Sequence, residues 1–168
     1  MHPAQSSPIP EEGQKPALRD LPWLIRFGLR GLYELVLARI AFARLQAKEI
    51  PQRNRRVRDA AQSEPVLSQA RLLRISYVLP RLSDRLPWRS DCLVQAIAGQ
   101  NWLSSYGAAS EIQIGVENPE GGEFGAHAWL VHGETIVTGG DIKKYDLILS
   151  DSRLSRDSGS RKPLVDPD

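Results

Sequence analysis

The fold of this chain is decided by the segment around its only cysteine, Pro87-Trp88-Arg89-Ser90-Asp91-Cys92-Leu93-Val94-Gln95-Ala96. Ser90 or Asp91 can serve as an N-cap there, and the residues after Cys92 continue as a helix. A thiol at a helix N-terminus meets unpaired N–H groups and the positive end of the helix dipole, and both favour the reactive thiolate. The adjacent charge of Asp91 opposes this effect.

A histidine follows in a strand-like segment, Gly125-Ala126-His127-Ala128-Trp129-Leu130. A lone cysteine in an apolar helix is usually a small buried hydrophobe, and a lone histidine is usually structural. Taken together, they suit the nucleophile and base of a thiol enzyme, because an imidazole at hydrogen-bond distance can take the thiol proton. We therefore predict catalytic roles for Cys92 and His127.

A thiol enzyme of this kind needs a third group that fixes the tautomer of the imidazole and stabilises the imidazolium. Asp141 lies just after the next predicted strand and would return to the same end of a short hairpin, so we assign it this role. Asp146 is the alternative, because a shift of a few residues in the hairpin would exchange the two. Glu134 falls in the turn at the opposite end. His132 points to the other face of its strand, so a zinc site that includes it is not expected.

The spacing of apolar residues predicts helices first and a small sheet afterwards. Helical spacing is found in two segments on either side of Pro87, namely 67–86 and 93–106. A bend is expected in the first segment at Pro80. Alternating polar and apolar residues then predict three short strands that pair antiparallel, namely 111–116, 126–131 and 135–137. The fold class is therefore α+β, with the cysteine-bearing helix packed on a small antiparallel sheet.

The apolar stretch 21–45 predicts a strongly amphipathic helix, and its charges fall in one arc at about 100° per residue, apart from Arg39. Five charged residues within the stretch argue against a membrane crossing. Packing against the core is the ordinary role of such a helix, and docking on a partner protein or peripherally on a membrane is the alternative. The basic residues in 46–66 predict a solvated connecting segment.

The composition limits the number of domains and the kinds of partner that we expect. A chain of 168 residues with 41% hydrophobic content can bury one sizeable core, so we expect a single principal domain. The net charge of +2, without a basic block interleaved with aromatics, argues against a nucleic-acid partner. One cysteine excludes an internal disulfide framework and suits a reducing cytosol. Residues 1–20 and 151–168 predict disordered tails, and the first of these lacks the pattern of a signal peptide.

The motifs resemble, in order, those of the lasso-peptide leader peptidases, the family of the microcin J25 maturation protease. A helix-borne cysteine, a strand that begins with histidine and a later carboxylate form the chain order of transglutaminase-like and papain-like thiol enzymes. The resemblance covers about residues 65–150, and the helical region from Leu21 is similar to that family's N-terminal extension. The segments that carry it are Asp91-Cys92-Leu93, Tyr106-Gly107, Ile112-Gln113-Ile114-Gly115-Val116 and Ala126-His127-Ala128-Trp129.

The resemblance implies a transglutaminase-like (papain-like) cysteine peptidase domain over 65–150, preceded by an amphipathic helix and basic linker over 21–64. It implies removal of the leader from a ribosomally made lasso-peptide precursor, which frees an amine for a separate ATP-dependent cyclase. No small β-rich recognition domain precedes the helices, so the chain is similar to members that need a separate leader-binding protein. In this resemblance Cys92 matches the nucleophile and His127 the base, and no metal or cofactor is required. The expected location is the cytoplasm, with possible peripheral membrane contact through 21–45.

Two other functions stay open at this point. Another transglutaminase-like thiol acyltransferase would use the same triad and would transfer the acyl group to an amine instead of water. A non-catalytic scaffold that binds peptides would keep the fold without using the thiol.

Overall fold

The structure, a computed structural model, describes residues 9–10, 16–44, 47–87, 91–117 and 125–150. These residues fold into four helices followed by a four-stranded sheet. The helices are α1 (Leu21–Phe42), α2 (Ile50–Asp59), α3 (Gln69–Ser83) and α4 (Cys92–Ser104). The strands are β1 (Glu111–Glu117), β2 (Gly125–His132), β3 (Thr135–Thr138) and β4 (Asp146–Leu149). The predicted α+β class is confirmed.

Helix α4 lies at the centre of the core and is apolar over most of its surface. Val94, Ile97 and Leu103 are completely buried in it, and α1, α3 and β2 all pack against it. Gly99 allows the closest of these contacts, because a Cβ there would lie only 2.6 Å from Leu130 Cδ2 of β2. The helix that begins at Cys92 is therefore held firmly against the strand that carries His127.

The sheet is antiparallel with the strand order β3-β2-β1-β4. The register of β1 and β2 places Gly115 opposite His127 and Ile112 opposite Leu130. Gly133, with a φ of 57°, forms the tight turn between β2 and β3, as the hairpin pattern predicted. Strand β4 was not predicted. It is a four-residue edge strand that pairs with β1, which is distant in the chain.

Helix α1 is apolar on two opposite faces. Phe27, Leu35 and Ala38 belong to the core cluster, and α1 packs on α3 and α4 through this face. Trp23 contacts the ring of Phe27 edge to face, with centroids 6.1 Å apart. The predicted packing of this helix against the core is confirmed for this face. The other face carries exposed aliphatic side chains, among them Leu29.

The segment 46–66, for which the sequence predicted a solvated connection, contains helix α2. Asn54 holds α2 to β1, because its Nδ2 donates to the carbonyl of Ile112 (2.8 Å) and its Oδ1 accepts from the N–H of Ile112 (2.9 Å). Gln100 Nε2 donates to the same Oδ1 at 3.0 Å. Arg53 Nε donates to Gln100 Oε1 at 2.6 Å, and burial lowers the pKa of this guanidinium. Polar side chains therefore anchor α2.

Some sequence predictions fall outside the described residues. These are the C-terminal tail 151–168, most of the N-terminal tail 1–20, and the alternative N-cap Ser90. Within the tail 1–20, Leu18–Asp20 form a short 3-10 turn that leads into α1. Among the described helices, none is both long enough and apolar enough to span a bilayer.

Candidate active site

Cys92 is the first residue of α4, as the sequence predicted, and it is half-buried. Asp91 occupies the N-cap position with extended backbone angles (φ −57°, ψ 155°), but its side chain makes no capping hydrogen bond. The N–H of Gln95 closes the first helical turn on the carbonyl of Asp91 at 3.1 Å. The thiol therefore lies at the positive end of a well-formed helix.

The thiol is joined to β2 by one hydrogen bond. The backbone N–H of Ala128 donates to Cys92 Sγ at 3.3 Å, immediately after His127 in the chain. Strand β3 ends at Thr138, which pairs with Leu130, so the edge of β2 at Ala128 is left open for the thiol. The hydrogen bond therefore fixes the sulfur beside the main chain of β2.

The imidazole of His127 is held by a main-chain group. Its Nε2 lies 2.7 Å from the carbonyl oxygen of Gly139. A carbonyl oxygen only accepts hydrogen bonds, so Nε2 carries a proton in this contact. Nδ1 is then the basic nitrogen, and the ring is in the tautomer that can take a proton from a thiol.

Gly139 cannot be replaced by a larger residue without moving this carbonyl. Its φ of +111° lies in the region that favours glycine. A Cβ at this position would also collide with Cβ of Trp129. The orientation of His127 therefore depends on a glycine at the end of β3.

Two aromatic rings lie against the imidazole. Tyr145 stacks on His127 with centroids 4.7 Å apart and planes 25° apart, and Trp129 lies at 6.2 Å and 28°. Trp129 is buried, and its Nε1 donates to Gln113 Oε1 at 2.8 Å. Its ring crosses β1 at Gly115, where a Cβ would lie 2.8 Å from Trp129 Cη2. Together these contacts restrict the movement of the imidazole.

The structure does not bring either predicted carboxylate to the imidazole. Asp141 is exposed, and its Oδ1 accepts from the N–H of Lys143 at 3.1 Å. This hydrogen bond opens the turn in which the N–H of Tyr145 donates to the carbonyl of Ile142 at 3.0 Å. Asp146 is the exposed first residue of β4. The Gly139 carbonyl takes the place on the imidazole that we predicted for Asp141, whose catalytic role stays a prediction.

Cys92 and His127 are linked through Ala128, whose N–H contacts the sulfur, but the described residues include no hydrogen bond between the thiol and the imidazole. In enzymes without bound substrate, such contacts are often long and tighten when the substrate arrives. The site thus holds a helix-terminal thiol, an oriented imidazole in the basic tautomer and an aromatic support. This set suits acyl transfer through a thiolate.

The remaining sequence candidates lie away from this site. His132 Nδ1 contacts the carbonyl of Ala109 at 2.6 Å, at the far end of β2. The described residues contain no group of His, Cys, Asp or Glu that could hold a metal ion. Near the site, Lys144 forms an ion pair with Glu117 at 3.1 Å, and the Glu117 carboxylate raises the pKa of this ammonium.

Two groups that contact His127 were missed at the sequence level, the carbonyl of Gly139 and the ring of Tyr145. A main-chain carbonyl carries no side-chain signature, so only the pair Gly139-Gly140 at the end of a strand could have drawn attention to it. Tyr145 reaches His127 only because the turn that begins at Asp141 returns the chain. Its contact is therefore tertiary, and no local pattern indicates it.

Comparison with known proteins gives a family match for most of the chain. Residues 36–150 match the family described as Transglutaminase-like superfamily, which is more than half of the 168 residues. The match begins inside α1, upstream of residue 65, where we placed the start of the peptidase domain. It includes both Cys92 and His127. No curated protein and no solved structure gives a significant match.

Proposed function

We propose that this chain, which belongs to the transglutaminase-like superfamily, is a cysteine peptidase in which Cys92 is the nucleophile and His127 the base. The superfamily consists typically of cysteine-based acyltransferases and proteases. The observation that carries the proposal is the pair of hydrogen bonds at β2. One joins Cys92 Sγ to the N–H of Ala128, and the other holds His127 in the basic tautomer.

In the proposed first step, His127 Nδ1 takes the thiol proton and Cys92 Sγ attacks the scissile carbonyl carbon. The resulting oxyanion is stabilised by N–H donors at the start of α4. The C–N bond then breaks as the imidazolium gives its proton to the leaving amine, and a thioester on Cys92 remains.

In the second step, His127 takes a proton from water, and the hydroxide attacks the thioester carbonyl. The C–S bond breaks, the new carboxylic acid leaves, and the proton returns to the thiol. The Gly139 carbonyl keeps Nε2–H in place through both steps. It stabilises the imidazolium less than a carboxylate would, because it carries only a partial charge.

We propose that the substrate is a lasso-peptide precursor, from which the enzyme removes the leader. This finer assignment rests on the ordered motifs around Cys92, Tyr106-Gly107 and His127, which resemble the leader peptidases. It includes two partners, a separate protein that binds the leader and a cyclase that uses the freed amine of the core peptide.

The test is incubation of the purified chain with a precursor peptide from the same genomic neighbourhood, with and without its leader-binding protein. We expect mass spectrometry to detect leader and core as separate products, and Cys92→Ala to abolish cleavage without changing precursor binding. Mass added by amine incorporation, without hydrolysis, would support an acyltransferase instead. Intact precursor in every mixture would overturn the peptidase proposal.

A further inference from the structure

Helix α1 presents a continuous row of aliphatic side chains to solvent. We call this row the outer stripe. Its members are exposed and recur every three or four residues, so they lie on one side of the helix. They are Leu21, Ile25, Leu29, Leu32, Val36 and Ile40. Leu18, in the turn before the helix, continues the row.

The outer stripe takes no part in the core. Phe27, Leu35 and Ala38 are the buried positions that α1 packs on α3 and α4, and they lie on the opposite side of the helix from Ile25 and Leu29. An amphipathic helix that serves only a core has one apolar face, and polar residues cover the other. The second apolar face therefore needs an explanation outside the core.

Basic residues line one side of the outer stripe, and Arg39 lies at its other edge. Five exposed arginines lie on α1 and its two ends, namely Arg19, Arg26, Arg30, Arg39 and Arg44. Glu34 is buried and paired with Arg30 at 2.6 Å, so this pair is balanced, and the other four arginines outnumber the remaining acidic residue, Asp20 at the N-cap. The outer face of α1 thus combines an aliphatic row with positive charge.

We propose that the outer stripe docks this protein on an anionic membrane surface, with α1 lying in the plane of the interface. Aliphatic side chains beside a row of arginine fit the boundary between acyl chains and acidic headgroups. The stripe runs about 30 Å along the helix, at 1.5 Å per residue, and offers one long line of contact. It faces away from α4, so the thiol of Cys92 stays accessible to a peptide.

A second copy of the chain is a less suitable partner for the same surface. Pairing two outer stripes antiparallel would bring the arginine row of one helix against that of the other, and like charges at a contact oppose association. Anionic headgroups neutralise the same arginines. Charge complementarity therefore favours the membrane.

The test is co-sedimentation of the full chain with vesicles of phosphatidylcholine alone or mixed with phosphatidylglycerol. We expect binding to the mixed vesicles only, weakened by added salt, because salt screens the arginines. Leu29→Glu should lower the partition coefficient by about tenfold or more, since a leucine side chain would no longer be buried. Val66→Glu is the matched control, because both side chains are 66% exposed and Val66 lies outside α1.

Circular dichroism shows whether both variants fold. Equal sedimentation of the wild type and Leu29→Glu, or no binding by the wild type, would overturn the proposal. Light scattering without vesicles is the second measurement. A dimer of the wild type that dissociates in Leu29→Glu would also overturn the proposal, because the stripe would then be an interface between two copies of the chain.

Discussion

The ring of Tyr145 lies on the imidazole of His127, with centroids 4.7 Å apart and planes 25° apart. A stacked ring limits rotation of the imidazole about its side-chain bonds, so Tyr145 acts as a positioning residue. We expect Tyr145→Ala to lower kcat about fivefold with little change in KM, since an aromatic pair contributes about 1 kcal/mol. Tyr145→Phe keeps the ring and should retain activity. Equal losses in the two variants would assign the effect to the hydroxyl group and contradict the stacking role.

The carbonyl of Gly139 orients the imidazole, so moving it should impair catalysis. Gly139→Ala would place a methyl group against Trp129 at a φ of +111°. We expect it to lower kcat/KM at least about 100-fold, as misplaced catalytic groups do, and to lower the free energy of unfolding by about 3 kcal/mol.

Gly140→Ala is the control for this variant, because Gly140 also has positive φ (64°) but has open space around it. It should cost about 1 kcal/mol of stability without loss of activity. Denaturant titration and steady-state kinetics measure both quantities. Full activity in Gly139→Ala would exclude the proposed role of the carbonyl.

Asp141 accepts a hydrogen bond within the turn after β3, and substitutions can separate this structural role from a catalytic one. Asp141→Asn keeps an oxygen that accepts from the N–H of Lys143, so we expect nearly wild-type kcat/KM. Asp141→Ala loses this hydrogen bond and should cost about 1 kcal/mol of stability. If the carboxylate instead acted on His127, Asp141→Asn would lower kcat about 10⁴-fold, as the same change does in a serine protease triad.

The local patterns of the sequence were enough to predict the helix start at Cys92 and the hairpin that carries His127. Both depend on neighbours in the chain, namely a cap, a glycine turn and an alternating strand. Strand β4 could not be predicted in this way, because its pairing with β1 is made across the intervening hairpin. The sequence pattern also could not show which face of α1 would form the outer stripe. The pattern of α1 contains two apolar faces, and only the tertiary packing decides which one is buried.

Helix α2 was missed because its anchor is polar. Hydrophobic spacing indicates helices that pack through a row of apolar side chains, whereas α2 buries one apolar side chain, Ile50, and is held otherwise by Asn54 and Arg53. The third member of the site was sought among side chains for a similar reason, and the role assigned to Asp141 stays a prediction. A search for carboxylates finds Asp141 and overlooks a main-chain carbonyl, although both can accept a hydrogen bond from His127.

Asn54 makes three hydrogen bonds to β1 and α4, and its removal should destabilise the protein more than any exposed polar residue of α2. Asn54→Ala leaves the N–H and carbonyl of Ile112 and the amide of Gln100 without this partner. We expect a loss of about 3 kcal/mol in the free energy of unfolding, measured by urea titration. Gln52→Ala, at an exposed position of α2, should change it by less than about 0.5 kcal/mol. Equal losses in both variants would refute the anchoring role.

Cys92 is the only cysteine, so its reactivity can be measured without a substrate. If His127 takes the thiol proton, alkylation by iodoacetamide near neutral pH should be about tenfold slower in His127→Ala, because the thiolate is the attacking species. His132→Ala is the matched control, since His132 lies on the same strand but contacts Ala109, and its rate should equal that of the wild type. Mass spectrometry measures the rate, because alkylation adds one carbamidomethyl group to each chain. Equal rates in all three proteins would show that His127 does not activate the thiol, and the proposed peptidase mechanism would fail at its first step.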